Sequence, residues 1–86
     1  MAVDAAAVAE EQRRLRELRV TVDLAVNVIS QGPLTRAEAE ALVAATRGRA
    51  LALFPDRAET FDLILAPRFA RLLDELAEGG RQRNPL

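Results

Sequence analysis

An all-α fold of three main helices, the first long and the third kinked, follows from three features of the sequence. Apolar residues recur at helical spacing along most of the chain, helix-boundary signals separate the periodic segments, and only one short stretch alternates at the period of a strand. The 86 residues suffice for one small domain, expected over 1–80, with "RQRNPL" at 81–86 as a flexible tail. Half of them are hydrophobic, but much of that half is alanine, and three phenylalanines with no tryptophan or tyrosine leave little bulk for a core. Cysteine is absent, so no disulfide braces the fold. Burying enough surface then calls for a second chain, and the bundle is expected to be completed by oligomerisation.

The first helix is expected over 3–31. Val8, Leu15, Val22 and Ile29 recur every seven residues with Leu18 and Ala25 between them, the a/d seam of a coiled coil. Upstream, Glu10–Arg14 and Arg13–Glu17 stand at i,i+4 spacing. From Val20 a second apolar row begins (Val20, Leu24, Val28), so the later half of this helix should be covered on two sides. A polar stripe of Arg16, Arg19, Asp23, Asn27 and Ser30 runs between the rows.

The stretch "RVTVDLAVNVIS" also alternates residue by residue, and valine favours strands. A lone strand, however, leaves its backbone ladder unpaired. No Gly, Pro or Asn separates "EEQRRLREL" from "RVTVDL", so the helix has no reason to stop there. Helix is therefore the preferred reading. Such a helix is about 43 Å long, whereas a compact domain of this size has a radius of gyration of about 12 Å. It should overhang its own domain.

"QGP" ends the first helix, with Gly32 expected as a left-handed C′ residue and Pro33 unable to continue. Thr35 with Glu38 three residues on is a capping box, in which each residue's side chain accepts from the other's backbone N–H. It opens a helix over 36–54. Ala39, Leu42, Val43, Thr46, Ala50, Leu53 and Phe54 form its apolar stripe, and Ala37, Ala41, Ala44, Ala45, Gly48 and Ala52 leave the opposite surface almost free of side chains. Alanine there is explained by helix propensity alone, but a mid-helix glycine costs about 1 kcal/mol relative to alanine. Gly48 thus tilts the reading toward close approach of another helix.

Asp56 and Glu59 repeat the capping-box spacing and open a third helix over 57–78, which Gly79 and Gly80 should stop. Phe61, Leu65, Phe69, Leu72 and Leu76 share one side, with Ile64 and Leu73 flanking. Pro67 deletes the hydrogen bond to the Leu63 carbonyl. The apolar stripe keeps its phase across Pro67, so a kink is expected rather than a break.

Chemistry-bearing residues are few. Histidine is absent, which removes the commonest general base and metal ligand. Asp56, Glu59 and Asp62, like Asp74, Glu75 and Glu78, sit among arginines and read as solvated ion pairs. No glycine-rich phosphate loop, metal-ligand spacing or dinucleotide motif is present. Hence no catalytic residue, cofactor, metal or small-molecule substrate is expected, and the chain is not read as an enzyme. A net charge of −1 gives no global attraction for nucleic acid or anionic lipid. The most apolar run, 20–29, is too short to cross a membrane, and "MAVDAAAVAEEQRR" lacks the features of a secretory signal. The cytoplasm is the default location.

"LRVTVDL" resembles the opening strand of a ribbon-helix-helix repressor over about seven residues, and that resemblance implies a strand entering the DNA major groove. A small dimeric nucleic-acid-binding regulator is therefore the alternative function. Against it, the next helix begins only at Thr35, Asp23 would face phosphates, and glutamates interleave with Arg13, Arg14 and Arg16. The preferred function is a non-catalytic protein–protein interaction or assembly module, either a homo-oligomer or an accessory subunit on a larger protein. The expected interface takes Val8, Leu15, Leu18, Val22, Ala25 and Ile29 from the first helix and Ala41, Ala45, Gly48 and Ala52 from the second. Arg19, Asp23 and Asn27 form a candidate specificity patch, weighed against a polar stripe that simply faces water.

Overall fold

The computed structural model describes residues 4–82 and is all-helical over them, in three helices: α1 (Ala5–Gln31), α2 (Arg36–Leu53) and α3 (Ala58–Gln82). The alternating stretch lies inside α1, so its valines sort by helical rather than strand period. Asp4 caps α1 by accepting from the Ala6 N–H at 3.0 Å, which starts the helix at Ala5 rather than at position 3. At the other end Gly32 is extended, with φ −85° and ψ 151°, not left-handed as the "QGP" signature suggests. Pro33 is the reason, because the residue before a proline is pushed out of helical space toward extended backbone. Glycine serves a different purpose here: a Cβ on Gly32 would stand 2.7 Å from the Val28 carbonyl oxygen that its own N–H bonds.

The capping box at the start of α2 is present with both of its bonds. Glu38 N–H donates to the Thr35 hydroxyl at 3.1 Å, and Thr35 N–H donates to the Glu38 carboxylate at 2.9 Å. That Thr35 N–H, together with the Thr35 side chain, holds the Glu38 carboxyl below its ordinary range. The second expected box does not form. Residues 54–57 instead make a turn in which Arg57 N–H donates to the Phe54 carbonyl at 3.1 Å, with Pro55 at the position its fixed φ suits. This delays α3 to Ala58 and takes Asp56 out of the capping position; no hydrogen bond links Asp56 to Glu59.

α3 runs unbroken through Pro67. Pro67 and Leu63 are both exposed, so the carbonyl that loses its helical donor can be satisfied by water. The helix also continues past Gly79 and Gly80 to Gln82, further than the glycine signal implies. Glycine lowers helix propensity by about 1 kcal/mol without forbidding the conformation, as proline does. Of the expected tail, Arg81 and Gln82 extend α3, and 83–86 lie outside the described residues.

Short connections at 32–35 and 54–57 make α2 antiparallel to both neighbours and leave α1 and α3 side by side in the same direction. Val22, Ala25 and Ile29 of α1 meet Ala39 of α2 and Phe69 and Leu73 of α3 in the main core cluster. Ala50, Leu53, Phe54 and Phe61 form a second cluster at the far end, and Leu18 packs against both. Phe54 and Phe61 meet edge to face at 6.5 Å, while the Arg14 and Arg57 guanidiniums lie 5.7 and 5.3 Å from the Phe54 ring centre. Arg14 therefore packs on an aromatic ring, and its expected partner Glu10 pairs with Arg13 instead, at 2.6 Å. Arg47 forks onto Asp62 at 2.8 and 3.1 Å, tying α2 to α3.

The overhang expected of the first helix is present. Residues 4–13 are all exposed, and the radius of gyration of 16.3 Å exceeds the roughly 12 Å of a compact chain this long.

Candidate functional site

α1 has more apolar surface than α2 and α3 cover. Val22, Ala25 and Ile29 point into the core, whereas Val20, Leu24 and Val28 remain 52, 59 and 43% exposed. Each step of four residues turns a helix by about 40° beyond a full circle, so this row swings gradually toward α2. Along that flank the two helices leave an open groove of about 260 Å³, lined by Thr21, Leu24, Val28, Leu42, Ala45 and Thr46 over a floor at Ala25. The lining is almost wholly apolar because the Thr46 hydroxyl is turned back into its own helix, donating to the Leu42 carbonyl at 2.8 Å.

The α2 side of this surface is flat. Ala41, Ala45, Gly48 and Ala52 are exposed, and no atom lies within 4 Å of the place where a Cβ on Gly48 would stand. The antiparallel register follows from the residues that line the groove, which set Thr21, Leu24 and Val28 beside Leu42, Ala45 and Thr46. With Leu24 beside Ala45 in the groove, antiparallel helical spacing carries Val20 toward Gly48 and Val28 toward Ala41. A raised apolar row thus runs beside a level strip, closed at one end by the Glu17–Arg49 pair.

The residues expected at an interface divide into three groups. Val22, Ala25 and Ile29 are buried in the core of their own chain and Leu18 is half-buried beside them, so the inner part of the seam packs within the chain. Val8 and Leu15, on the overhanging part of α1, are 39 and 42% exposed. Ala41, Ala45, Gly48 and Ala52 face outward on α2. Arg19, Asp23 and Asn27 are all exposed, in keeping with a polar stripe that faces water.

The second apolar row was legible in the sequence as a row, but the expectation that α1 would be covered on both sides does not hold within one chain. Another exposed apolar spot lies on α3, where Leu63 and Ile64 are 71 and 64% exposed. Ile64 flanks the α3 stripe in sequence yet falls outside the core. The signal that marks this face is Pro67, because the carbonyl it frees on Leu63 must find water.

Among the described residues, no group of three or more His, Cys, Asp or Glu side chains converges as a metal site. No helix among them is long and apolar enough to cross a membrane. Several carboxylates are engaged by arginines on exposed surfaces: Arg13 holds the Glu10 carboxyl below its ordinary range through a direct hydrogen bond, and Arg47 does the same for Asp62. No protein-family model, curated protein or solved structure matches this chain.

Proposed function

We propose that this chain is a non-catalytic helical interaction module whose docking surface is the α1/α2 flank. The observation that carries the reading is the exposed Val20, Leu24 and Val28 row beside the level strip of Ala41, Ala45 and Gly48. Exposed apolar groups are ordinary when scattered singly, but a contiguous row bordering an apolar groove marks a contact surface. The proposed setting is the cytoplasm, with the module acting through assembly and holding no substrate.

The ribbon-helix-helix alternative loses its motif, because a ribbon needs a strand at 18–24 and these residues are helical. Leu24→Glu is the direct test of the docking reading. The side chain is outside the core, so the variant should keep wild-type helicity and monomer stability. Tagged wild-type protein should retain a stoichiometric protein partner, itself included, after nuclease treatment, and the variant should lose it. Equal retention by both proteins would refute the assignment to this flank.

A further inference from the structure

The geometry points to a second copy of this chain as the occupant of the α1/α2 flank, in a dimer whose two-fold axis runs parallel to the helices. This inference rests on the docking reading above and gives that surface its partner. A two-fold axis along the helices, lying in the plane of the flank, stacks α1 of one copy on α2 of the other and repeats the contact on the opposite side. Such an interface works only if one face carries both halves of the fit, so that residue i meets j and j meets i. This face does. Val20, Leu24 and Val28 project alongside Gly48, Ala45 and Ala41, the three positions of α2 where almost no side chain stands in the way.

Charge fits the same arrangement. Glu17 and Arg49 lie at one end of the groove on opposite helices. An axis parallel to the helices brings the same ends of the two copies together, so Glu17 of each copy faces Arg49 of the other and the intramolecular pair becomes part of a four-charge ring. An axis perpendicular to the helices would instead stack the two α1 rows on each other, raised row against raised row, and leave both level strips uncovered.

The available area sets the strength of the dimer. α2 is about 27 Å long, and two helices side by side at 8–10 Å spacing span about 18 Å. The flat footprint is then about 500 Å² per copy, and a corrugated surface exceeds its footprint. That lies near the lower edge of specific interfaces, roughly 600 Å² per partner, and corresponds to a small, reversible dimer.

The test uses the full chain, which has no native cysteine. Sedimentation equilibrium should give twice the 9.4 kDa chain mass at high micromolar concentration. Leu24→Glu, and separately Ala45→Gln, should each weaken the dimer at least tenfold while circular dichroism shows unchanged helicity. Leu63→Glu, on the other exposed apolar spot, should leave the dimer intact. For the arrangement, Leu24→Cys protein mixed with Ala45→Cys protein should form a mixed disulfide on mild oxidation. Cross-linking of Leu24→Cys protein to itself in preference would overturn the parallel axis. A monomer at all concentrations would overturn the second copy as occupant; if Leu24→Glu still abolished capture of a different protein, the docking surface would stand with another partner.

Discussion

Replacing Thr46 by valine should leave the protein's stability almost unchanged, although it removes a hydrogen bond. Thr46 is 3% exposed, and its hydroxyl donates to the Leu42 carbonyl at 2.8 Å within the same helix. That carbonyl already receives the backbone N–H one helical turn on, so losing the hydroxyl leaves no orphaned group. Valine has nearly the shape of threonine and nearly its helix propensity, and it exchanges a buried hydroxyl for a methyl beside Leu42 and Ala25. Back-bonding of this kind slightly destabilises helices, and the removed hydroxyl bond contributes only about 1 kcal/mol net. Against that stands about 0.8 kcal/mol for the added buried methyl. The two terms nearly cancel, so the expected change is within about 0.5 kcal/mol of zero, which for a domain of this size moves Tm by no more than roughly 4 °C. Urea and thermal unfolding read at low concentration, with Thr46→Ala as the companion, separate the terms: alanine also loses the methyl contacts and should cost about 1–2 kcal/mol. A Thr46→Val protein less stable than wild type by more than about 0.5 kcal/mol would show that the hydroxyl contributes more than a redundant bond.

Three further sets of perturbations bear on the rest of the fold. Ile29→Ala empties the largest fully buried side chain and should cost about 2–4 kcal/mol by chemical denaturation, a large share of the total for so thin a core. Gly32→Ala should destabilise by about 1–3 kcal/mol, because its Cβ meets the Val28 carbonyl, whereas Gly48→Ala has open space and should stabilise α2 by about 1 kcal/mol; equal effects at the two glycines would contradict the close approach at Gly32. Asp62 and Glu38 have carboxyl pKa values lowered by Arg47 and by Thr35, so their contribution is present above the unfolded carboxylate pKa near 4 and is lost as pH falls through the lower folded values. Tm should therefore fall from about pH 5 toward pH 2, and Asp62→Asn with Glu38→Gln should flatten that fall.

Helix identity was written in the sequence wherever one local interaction decides it. Thr35 and Glu38 need only each other, and the α2 and α3 stripes need only the helical period, so both read correctly. Asp56 and Glu59 carry the same spacing as Thr35 and Glu38, yet the Pro55 turn competes for the backbone that a cap at Asp56 requires. Gly32 carries the signature of a left-handed cap, but Pro33 after it pushes the residue into extended backbone. Arg14 was assigned to Glu10 by spacing, but the Phe54 ring that attracts it lies 40 residues away in sequence. The flank was legible in pieces, as an apolar row on α1 and a bare face on α2. Their alignment was not, since it depends on the register between α1 and α2 that the core contacts set.

The exposed row and the thin core have one origin, and it yields a last prediction. Alanine at 25, 39 and 50 lets the helices approach closely at the centre of the bundle, and alanine or glycine at 41, 45 and 48 leaves Leu42 as the large α2 side chain beside Leu24 in the groove. A leucine at Ala45 would have filled the groove and added intramolecular burial; alanine there leaves Val20, Leu24 and Val28 unsheltered. If a second copy supplies that shelter, folding and association are linked by mass action, and stability rises with concentration. Between about 2 and 200 µM, Tm of the wild-type chain should climb by several degrees, while Leu24→Glu melts at one temperature throughout. A wild-type Tm independent of concentration over that range would mean that the short core suffices alone, and that the apolar row is not covered by a copy of the same chain.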